Sequence, residues 1–277
     1  MEIDPGIHQL AFGRQSSSGI PSPNAFLVCG EDASAFLDTG WPEEDDHQER
    51  MAYLRESGAP PLAWIIMLHR HPDHAGGALR LHQDTGAPLA CHPLDRPSID
   101  ERFLKGETAV ARLLEGGERI DLGGLTLEFI HAPGHTLGCL AVFVPQRRAL
   151  FTTDTVLSTS TTAVGDQGDL GMYVQSLQKL RQIDAARIYP GHGPVVDDPA
   201  GRLDYLIEHR KRRERELLEM LKGSPQTVAD MFGRVYPNIS AARKTQAEAQ
   251  IRSGLRKLKS EGRVEEVSDG LFVAAAP

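Results

Sequence analysis

The sequence lacks the features of a membrane protein or a secreted protein. No apolar run approaches the roughly 20 residues that a helix needs to cross a bilayer. The first residues, Met1–Gly6, are acidic and do not have the basic and then apolar layout of a signal peptide. Cys29, Cys91 and Cys139 are widely spaced and odd in number, so they indicate neither a disulfide framework nor a metal-binding pattern. We therefore expect a cytoplasmic protein without membrane contact.

Positive charge is scarce outside the C-terminal part. The 277 residues carry a net charge of -8. Residues 202–277 hold 15 of the 30 basic residues and 11 of the 38 acidic ones, a balance of +4, which leaves -12 for residues 1–201. An acidic body keeps a protein in solution and weakly disfavours a long polyanionic substrate. The 40% hydrophobic and 25% charged fractions are ordinary for a chain of one large domain, or of one large and one small domain.

One short stretch concentrates side chains that bind metal ions. The apolar run Trp64–Leu68 has the length and composition of a buried strand. His69, His71, Asp73 and His74 follow it within six positions. Imidazole and carboxylate groups suit zinc, manganese or iron, and polar groups crowded behind a buried strand normally have a partner. His69 and His71 point to the same side of an extended chain, so both can reach one ion. The bend at Pro72 lets Asp73 and His74 face a second ion.

The spacing His-x-His-x-Asp-His resembles the signature of the metallo-β-lactamase superfamily. Four further elements resemble that superfamily in the same chain order. The resemblance implies an αββα sandwich over residues 1–200, with metal ions at one edge between its two sheets. The four matching residues are Asp38 in Asp-Thr-Gly, His135 in Pro-Gly-His-Thr, Asp154 at a strand end, and His192 in Gly-His-Gly.

The same resemblance implies a role for each of these residues in a binuclear site. Each ion would take three side chains of its own, the first His69, His71 and His135, and the second Asp73, His74 and His192. Asp154 would bridge the two ions. Asp38 would support the segment from His69 to His74, which we term the metal loop, from behind the ligands. The cofactors implied are two divalent metal ions, with Zn²⁺ foremost and Mn²⁺ or Fe²⁺ as alternatives.

Two positions depart from the superfamily pattern. Thr153 stands before Asp154 where glycine is usual, and Leu68 stands before the first histidine of the loop where many members have threonine. His131 lies at a strand end and matches no ligand position, so we interpret it as a packing histidine or one that supports a ligand. We interpret Cys139 as a small buried residue rather than a nucleophile.

A two-ion site of this kind predicts a hydrolase. Water held between two divalent ions loses a proton near neutral pH because the ions lower its pKa, and the resulting hydroxide attacks an electrophilic carbonyl carbon or phosphorus. The same ions stabilise the oxyanion that develops. Asp73 would orient the water or carry its proton, so it is the catalytic candidate. No separate serine or cysteine nucleophile is required.

Strands and helices alternate along the first hundred residues, which predicts a layered α/β domain with helices outside the sheet. Residues 13–24 are predicted as a turn region, and residues 119–124 as a turn. The stretch 93–117 is predicted to contain only a modest helix, from Thr108 to Leu114. Loops of this kind often determine substrate choice.

The C-terminal part is predicted to be a separate unit. Its three predicted helices, at 202–222, 228–236 and 241–261, are followed by a hairpin with an Asp-Gly turn. This order resembles a winged helix, so we predict a catalytic domain at 1–200 and a winged-helix-like domain at 201–277. Winged helices bind nucleic acid in many proteins and serve as packing or dimer scaffolds in others. We favour the structural role because the third helix mixes acidic with basic residues, and a homodimer is one partner hypothesis.

The substrate class stays open between two groups. The motifs and the C-terminal unit together resemble the β-lactamase-like group, which includes an endoribonuclease acting on single-stranded RNA and thioesterases of polyketide assembly. The acidic body favours a small acyl substrate, whereas the basic tail and Arg70 favour phosphate. We predict hydrolysis of a thioester, lactone or similar acyl bond, with cleavage of single-stranded RNA as the alternative. A non-catalytic nucleic-acid-binding regulator, a redox enzyme with iron and a true β-lactamase rank lower.

Overall fold

Two β-sheets form the centre of the protein, whose structure, a computed structural model, describes residues 1–11 and 22–275. The turn region predicted at 13–24 lies for the most part outside the described residues. The first sheet has seven strands paired in chain order: β1 Glu2–Asp4, β2 Ile7–Ala11, β3 Asn24–Cys29, β4 Ser34–Leu37, β5 Leu62–Met67, β6 Leu89–Cys91 and β7 Arg112–Leu113. The second has five: β8 Arg119–Asp121, β9 Thr126–His131, β10 Leu140–Val144, β11 Ala149–Thr153 and β12 Arg187–Pro190, paired in the order β12-β11-β10-β9-β8.

An apolar core fills the space between the two sheets, because each sheet turns every second side chain towards the other. Ile7 and Phe26 of the first sheet and Phe129 and Phe151 of the second belong to this core. The rings of Phe26 and Phe151 meet edge to face with their centroids 5.1 Å apart. Such contacts between the sheets fix the separation of the strand ends that carry the candidate site.

Helices cover the outer face of each sheet. The helices α1 Glu44–Glu56 and α3 Ala78–Thr85 pack on the seven-stranded sheet, and α2 Pro72–Ala75 is a single turn before α3. The helix α5 Leu170–Leu180 and the first half of α6 Pro199–Leu221 pack on the five-stranded sheet. The layered α/β architecture predicted from the sequence is confirmed, with helices outside two facing sheets.

The segment between β6 and β8 differs from the prediction. Thr108–Leu114 does not form a helix, since β7 within it pairs in parallel with β6. The helical residues lie earlier, in α4 Arg96–Ile99 and a π-helical turn at Asp100–Leu104. Arg119–Asp121, predicted as part of a turn, is the strand β8. Backbone pairing at the sheet edges outweighs the weak local preference of these residues, which the sequence alone does not reveal.

The C-terminal part has a core of its own. It contains the second half of α6, the helices α7 Val228–Val235 and α8 Lys244–Ser260, and a three-stranded sheet of β13 Gln226–Thr227, β14 Val264–Ser268 and β15 Leu271–Ala274. Leu203 and Leu206 of α6 pack on the five-stranded sheet, while Leu217 and Leu221 pack in this C-terminal core. Because α6 crosses the division predicted at residue 200, that division stays a prediction. Among the described residues, no helix is both long and apolar enough to span a membrane.

Candidate metal centre

The predicted metal ligands lie where strands of both sheets end. The strands β4 and β5 run parallel in the first sheet, and β11 and β12 run parallel in the second. Their carboxyl ends therefore meet at one edge of the sandwich. The residues that follow these strands are Asp38 after β4, His69 and His71 after β5, Asp154 after β11 and His192 after β12. His135 follows β9, which β10 separates from β11 in the second sheet.

The structure brings the seven predicted ligands together in two groups. The possible ligand atoms within each group lie within 4.8 Å of one another. The first group is His69, His71, His135 and Asp154, and the second is Asp73, His74 and His192. Asp154 borders both groups. Its Oδ2 lies 3.4 Å from His135 Nε2, and its Oδ1 lies 3.4 Å from both His74 Nε2 and His192 Nε2. Asp154 therefore lies within reach of both groups.

Hydrogen bonds determine which ring nitrogen of three histidines faces the centre. His74 Nδ1 donates to Asp38 Oδ2 over 2.8 Å, and His135 Nδ1 donates to the carbonyl of Ala163 over 2.7 Å. His69 Nδ1 lies 3.0 Å from the hydroxyl of Thr153 and donates to it, because that hydroxyl gives its own proton to Asp38. The Nε2 atom of each of the three rings therefore faces the centre, where it can bind a metal ion once it carries no proton.

Two buried atoms of the centre support a fit to metal ions. His69 Nε2 and Asp154 Oδ1 are buried and make no hydrogen bond within the described part of the chain. A buried imidazole nitrogen or carboxylate oxygen without a partner is costly, and a divalent cation satisfies both. Glycine at position 191 leaves room for this arrangement, since a Cβ there would lie 2.4 Å from Asp154 Oδ1. The donor set thus fits divalent ions.

The electrostatics of the centre favour cation binding. Burial lowers the pKa of His74, but the charges of Asp154, Asp38 and Asp73 outweigh it and raise that pKa to about 10. Burial followed by the neighbouring imidazoles lowers the pKa of His71 to about 3. Burial raises the pKa of Asp154, but nearby imidazolium charge, mainly of His74, holds it below its usual range. In the absence of an ion, the proton on His74 balances the negative charge of the carboxylates around it. A bound divalent ion would balance that charge instead.

Asp38 and Thr153 support the ligands from strained backbone. Their φ angles are 59° and 41°, in the left-handed region that favours glycine. Asp38 Oδ1 accepts from the backbone N–H of Leu68 over 2.8 Å, so it holds the start of the metal loop. The glycine usual before the bridging aspartate is replaced here by a residue whose hydroxyl joins Asp38 to His69. The strain is offset by buried hydrogen bonds that glycine lacks.

Asp95 is a structural residue of the site that the sequence did not reveal. It is fully buried, and its Oδ2 accepts from the backbone N–H of Arg70 over 3.0 Å and from the hydroxyl of Thr136 over 2.6 Å. Its Oδ1 accepts from the backbone N–H of Gly138 over 3.2 Å. It therefore joins the metal loop to the loop of His135. Nothing in its sequence neighbourhood distinguishes it from an ordinary turn aspartate.

His131 and Cys139 lie outside both ligand groups. The His131 ring stacks on His92 with centroids 4.1 Å apart, and its Nε2 donates to the carbonyl of Leu137. Burial raises the pKa of the Cys139 thiol to about 12, so this buried sulfur remains a thiol at neutral pH. All three cysteines, including Cys29 and Cys91, are free thiols. The surroundings of His131 and of Cys139 agree with a packing role.

Comparisons with known proteins agree with this geometry. Residues 19–192 match the sequence profile described as the Metallo-beta-lactamase superfamily. The Beta-lactamase-like protein 2 homolog of Caenorhabditis elegans is 31% identical over 247 residues, which cover 87% of this chain and 80% of that protein. An Atrochrysone carboxyl ACP thioesterase of Cryptosporiopsis sp. (strain 8999) is 24% identical over 272 residues, or 96% of this chain and 79% of that protein.

Solved structures show the same fold. A metallo-beta-lactamase family protein from Thermus thermophilus superposes with a TM-score of 0.80 at 21% identity, covering 99% of this chain and 100% of that one. A beta-lactamase domain protein from Burkholderia ambifaria superposes with a TM-score of 0.86 at 19% identity, covering 99% of this chain and 93% of that one. At such identities the likeness concerns the fold alone.

Proposed function

Because the chain belongs to the metallo-β-lactamase superfamily, we propose that it uses two metal ions to hydrolyse an ester-type bond in a small acyl substrate, such as a thioester or a lactone. The chain is a hydrolase of that superfamily, and two of its relatives are named as thioesterases. The observation that carries the proposal is the convergence of seven donors in two adjacent groups, with Asp154 of the first group also close to the second.

Each residue of the centre has a proposed task. His69, His71 and His135 would hold the first ion, and Asp73, His74 and His192 the second, with Asp154 between them. When bound, the two ions supply an acidified water and positive charge for the developing oxyanion. Asp73 Oδ2 lies 3.4 Å from His192 Nε2. Burial raises the pKa of Asp73, but the hydrogen bond to His192 and the charge of His74 outweigh burial and hold that pKa below its usual range. An ionised carboxylate there can orient a water or accept its proton. We propose Zn²⁺ first because the donor set is rich in histidine.

Arg70 gives less support to a phosphate substrate than the sequence suggested. Its Nη1 lies 3.5 Å from Asp95 Oδ1, and its Nη2 donates to the side-chain oxygen of Gln167 over 3.2 Å. A guanidinium that is committed to two partners is less available for a phosphate group. This supports the acyl substrate, as does the likeness over 96% of the chain to a protein named as an acyl-carrier-protein thioesterase.

Single-stranded RNA remains the alternative substrate, since one surface favours it. Arg212 and Arg215 of α6 lie beside Arg234 in an open groove. Glu216 and Glu219 line the same groove and reduce its positive potential. An intact donor set in a hydrolase superfamily argues against the non-catalytic regulator.

We further propose that residues 201–277 form a winged-helix-like unit attached to the metallo-β-lactamase unit at 1–200. The order of helices and strands supports it, with β13 before α7 and the pair β14 and β15 after α8. A cytoplasmic location remains part of the proposal, supported by the three free thiols. A homodimer remains a partner hypothesis.

A substrate panel tests the proposed function. Purified zinc-loaded protein is offered an acyl-thioester, a lactone, a chromogenic β-lactam, a bis-nitrophenyl phosphate and a short single-stranded RNA, each beside Asp73→Ala and the matched control Asp45→Ala on the exposed start of α1. We expect turnover of acyl substrates, loss of about a hundredfold or more in Asp73→Ala, and unchanged turnover in Asp45→Ala. RNA cleavage that Asp73→Ala abolishes would favour the alternative, and no turnover of anything would contradict the hydrolysis proposal.

A further inference from the structure

Two ligands of the proposed first ion depend on one loop, residues 157–167, which we term the backing loop. The carbonyl of Ala163 accepts the Nδ1 proton of His135 over 2.7 Å. The hydroxyl of Thr162 donates to the backbone carbonyl of Asp154 over 2.8 Å, and Thr162 is 1% exposed. The position of the backing loop therefore fixes the orientation of the His135 ring and of the Asp154 backbone.

Arginines from the C-terminal helices hold the backing loop. Arg202 Nε donates to the carbonyl of Leu157 over 2.8 Å, and Arg210 Nη2 donates to the buried carbonyl of Thr162. Asp166 is bound by two arginines of α8, at 2.8 Å from Arg252 Nη2 and 2.7 Å from Arg256 Nη1. Arg256 Nη2 also donates to the carbonyl of Gly165 over 3.1 Å. Contacts thus occur along nearly the whole loop.

Arg210 is the most constrained of these arginines. It is 5% exposed, and its guanidinium lies 5.0 Å from the centroid of the Tyr173 ring. Its Nη1 also donates to the side-chain oxygen of Gln250 in α8 over 3.3 Å. A buried cation is tolerated only where it is bonded, so Arg210 couples α6, α8 and the backing loop into one arrangement. Loss of the guanidinium would also leave the Thr162 carbonyl without this donor.

We propose that the part of the chain from α6 onward, residues 199–275, acts on the metal centre through Arg210, Arg252 and Arg256, which hold the backing loop where His135 and Asp154 reach the first ion. These arginines are positioning residues, since none of them belongs to either ligand group. The inference rests on the ligand roles in the proposed function. It also gives basic residues of the tail a use other than nucleic-acid binding.

The test measures the affinity of each ion separately in the full-length chain. Protein stripped with a chelator is titrated with Zn²⁺ in competition with a chromophoric chelator, for the wild type, Arg210→Met and Asp166→Asn. His135→Ala and His192→Ala mark which dissociation constant belongs to the first ion and which to the second. Lys259→Gln is the matched control, since it removes an ion pair between the end of α8 and Glu266 of β14 that does not touch the loop. Circular dichroism checks that each variant is folded.

The expected result is selective weakening of the first ion. Because substitutions of groups behind a ligand weaken metal binding by about tenfold or more, we expect roughly tenfold in Arg210→Met and about threefold in Asp166→Asn. The second ion should weaken less than the first, because among the described residues Asp154 is the only one held by the backing loop that lies within its reach, and Lys259→Gln should match the wild type. If Arg210→Met does not fold, the exposed Asp166→Asn still decides the matter.

Two negative outcomes are distinguishable. If His135→Ala weakens one ion as expected but Arg210→Met and Asp166→Asn bind both ions as the wild type does, the positioning role is wrong and the proposed metal centre stands. Equal weakening of both ions would also overturn the positioning role, since it would indicate a general loss of stability. If the wild type binds no ion, or His135→Ala has no effect, the proposed metal centre itself is wrong.

Discussion

At the scale of the residue, Thr153 departs most clearly from what its backbone position prefers. A β-branched residue at φ 41° is strained by about 1 kcal/mol or more, and glycine would avoid this cost. Its hydroxyl offsets the strain by donating to Asp38 and accepting from His69. Thr153 therefore joins His69, a proposed ligand of the first ion, to Asp38 in one buried chain of hydrogen bonds. Asp38 in turn orients His74, a proposed ligand of the second ion.

Replacing Thr153 separates the effect of its hydroxyl from that of its shape. Thr153→Val keeps the branching and the backbone strain but removes the donor to Asp38, so we expect zinc affinity to fall by roughly tenfold. Thr153→Ser keeps the hydroxyl with less crowding and should stay within about twofold of the wild type. Competitive zinc titration gives both values. Equal affinities for the two variants would show that the hydroxyl does not support the ligands.

The sequence predicts the side chains of the candidate site better than it predicts their supports. His69, His71, Asp73 and His74 are recognisable because polar ligands crowd behind an apolar strand. Asp95 could not be identified, because its three partners come from loops that only the fold brings together. The carbonyls that orient the ligands carry no residue signature at all.

At the scale of the element, Asp166 joins the backing loop to α8. Its carboxylate accepts hydrogen bonds from Arg252 and Arg256. The bond from Arg252 has the largest effect on the pKa of Asp166, and together with Arg256 it outweighs burial and lowers that pKa to about 2. A carboxyl group with a lowered pKa in the folded state stabilises the fold above its unfolded pKa of about 3.9, and this contribution disappears as the pH falls towards the folded value. The side chain is 47% exposed, so solvent screening keeps the contribution small.

The pH dependence of unfolding tests this link. We expect Asp166→Asn to lower the free energy of unfolding by no more than about 1 kcal/mol at pH 7, because exposed ion pairs contribute little. The difference from the wild type should shrink as the pH falls from about 4 towards about 2, because the unfolded carboxyl gains its proton near the first value and the folded one only near the second. Urea unfolding of the two proteins at several pH values measures it. A difference that grows on acidification would contradict the assignment.

Elements with strong patterns were predicted well, and those formed by pairing at a sheet edge were not. The apolar strand predicted at Trp64–Leu68 appears as β5 Leu62–Met67. The helix predicted at Thr108–Leu114 is wrong, because β7 gains backbone hydrogen bonds with β6 that no local pattern indicates. Short edge strands depend on neighbours that are distant in sequence.

At the scale of the whole molecule, the C-terminal unit and the sandwich share α6 and meet at the backing loop. α6 contributes apolar side chains to both cores, and its arginines bind loop carbonyls next to the candidate centre. The sequence indicated two units by their charge and by the order of their predicted elements, but not that one would support the site of the other. That relation arises from tertiary contacts between residues far apart in the chain.

The number of zinc ions bound per chain is the measurement that tests the central claim most directly. Elemental analysis of purified, zinc-loaded protein should give two ions per chain for the wild type, because the two donor groups share Asp154. Asp154→Ala should reduce that number, since the carboxylate lies within reach of both groups, whereas the control Asp45→Ala should keep it. A wild type that binds no zinc, or an Asp154→Ala variant that retains both ions with unchanged affinity, would contradict the account.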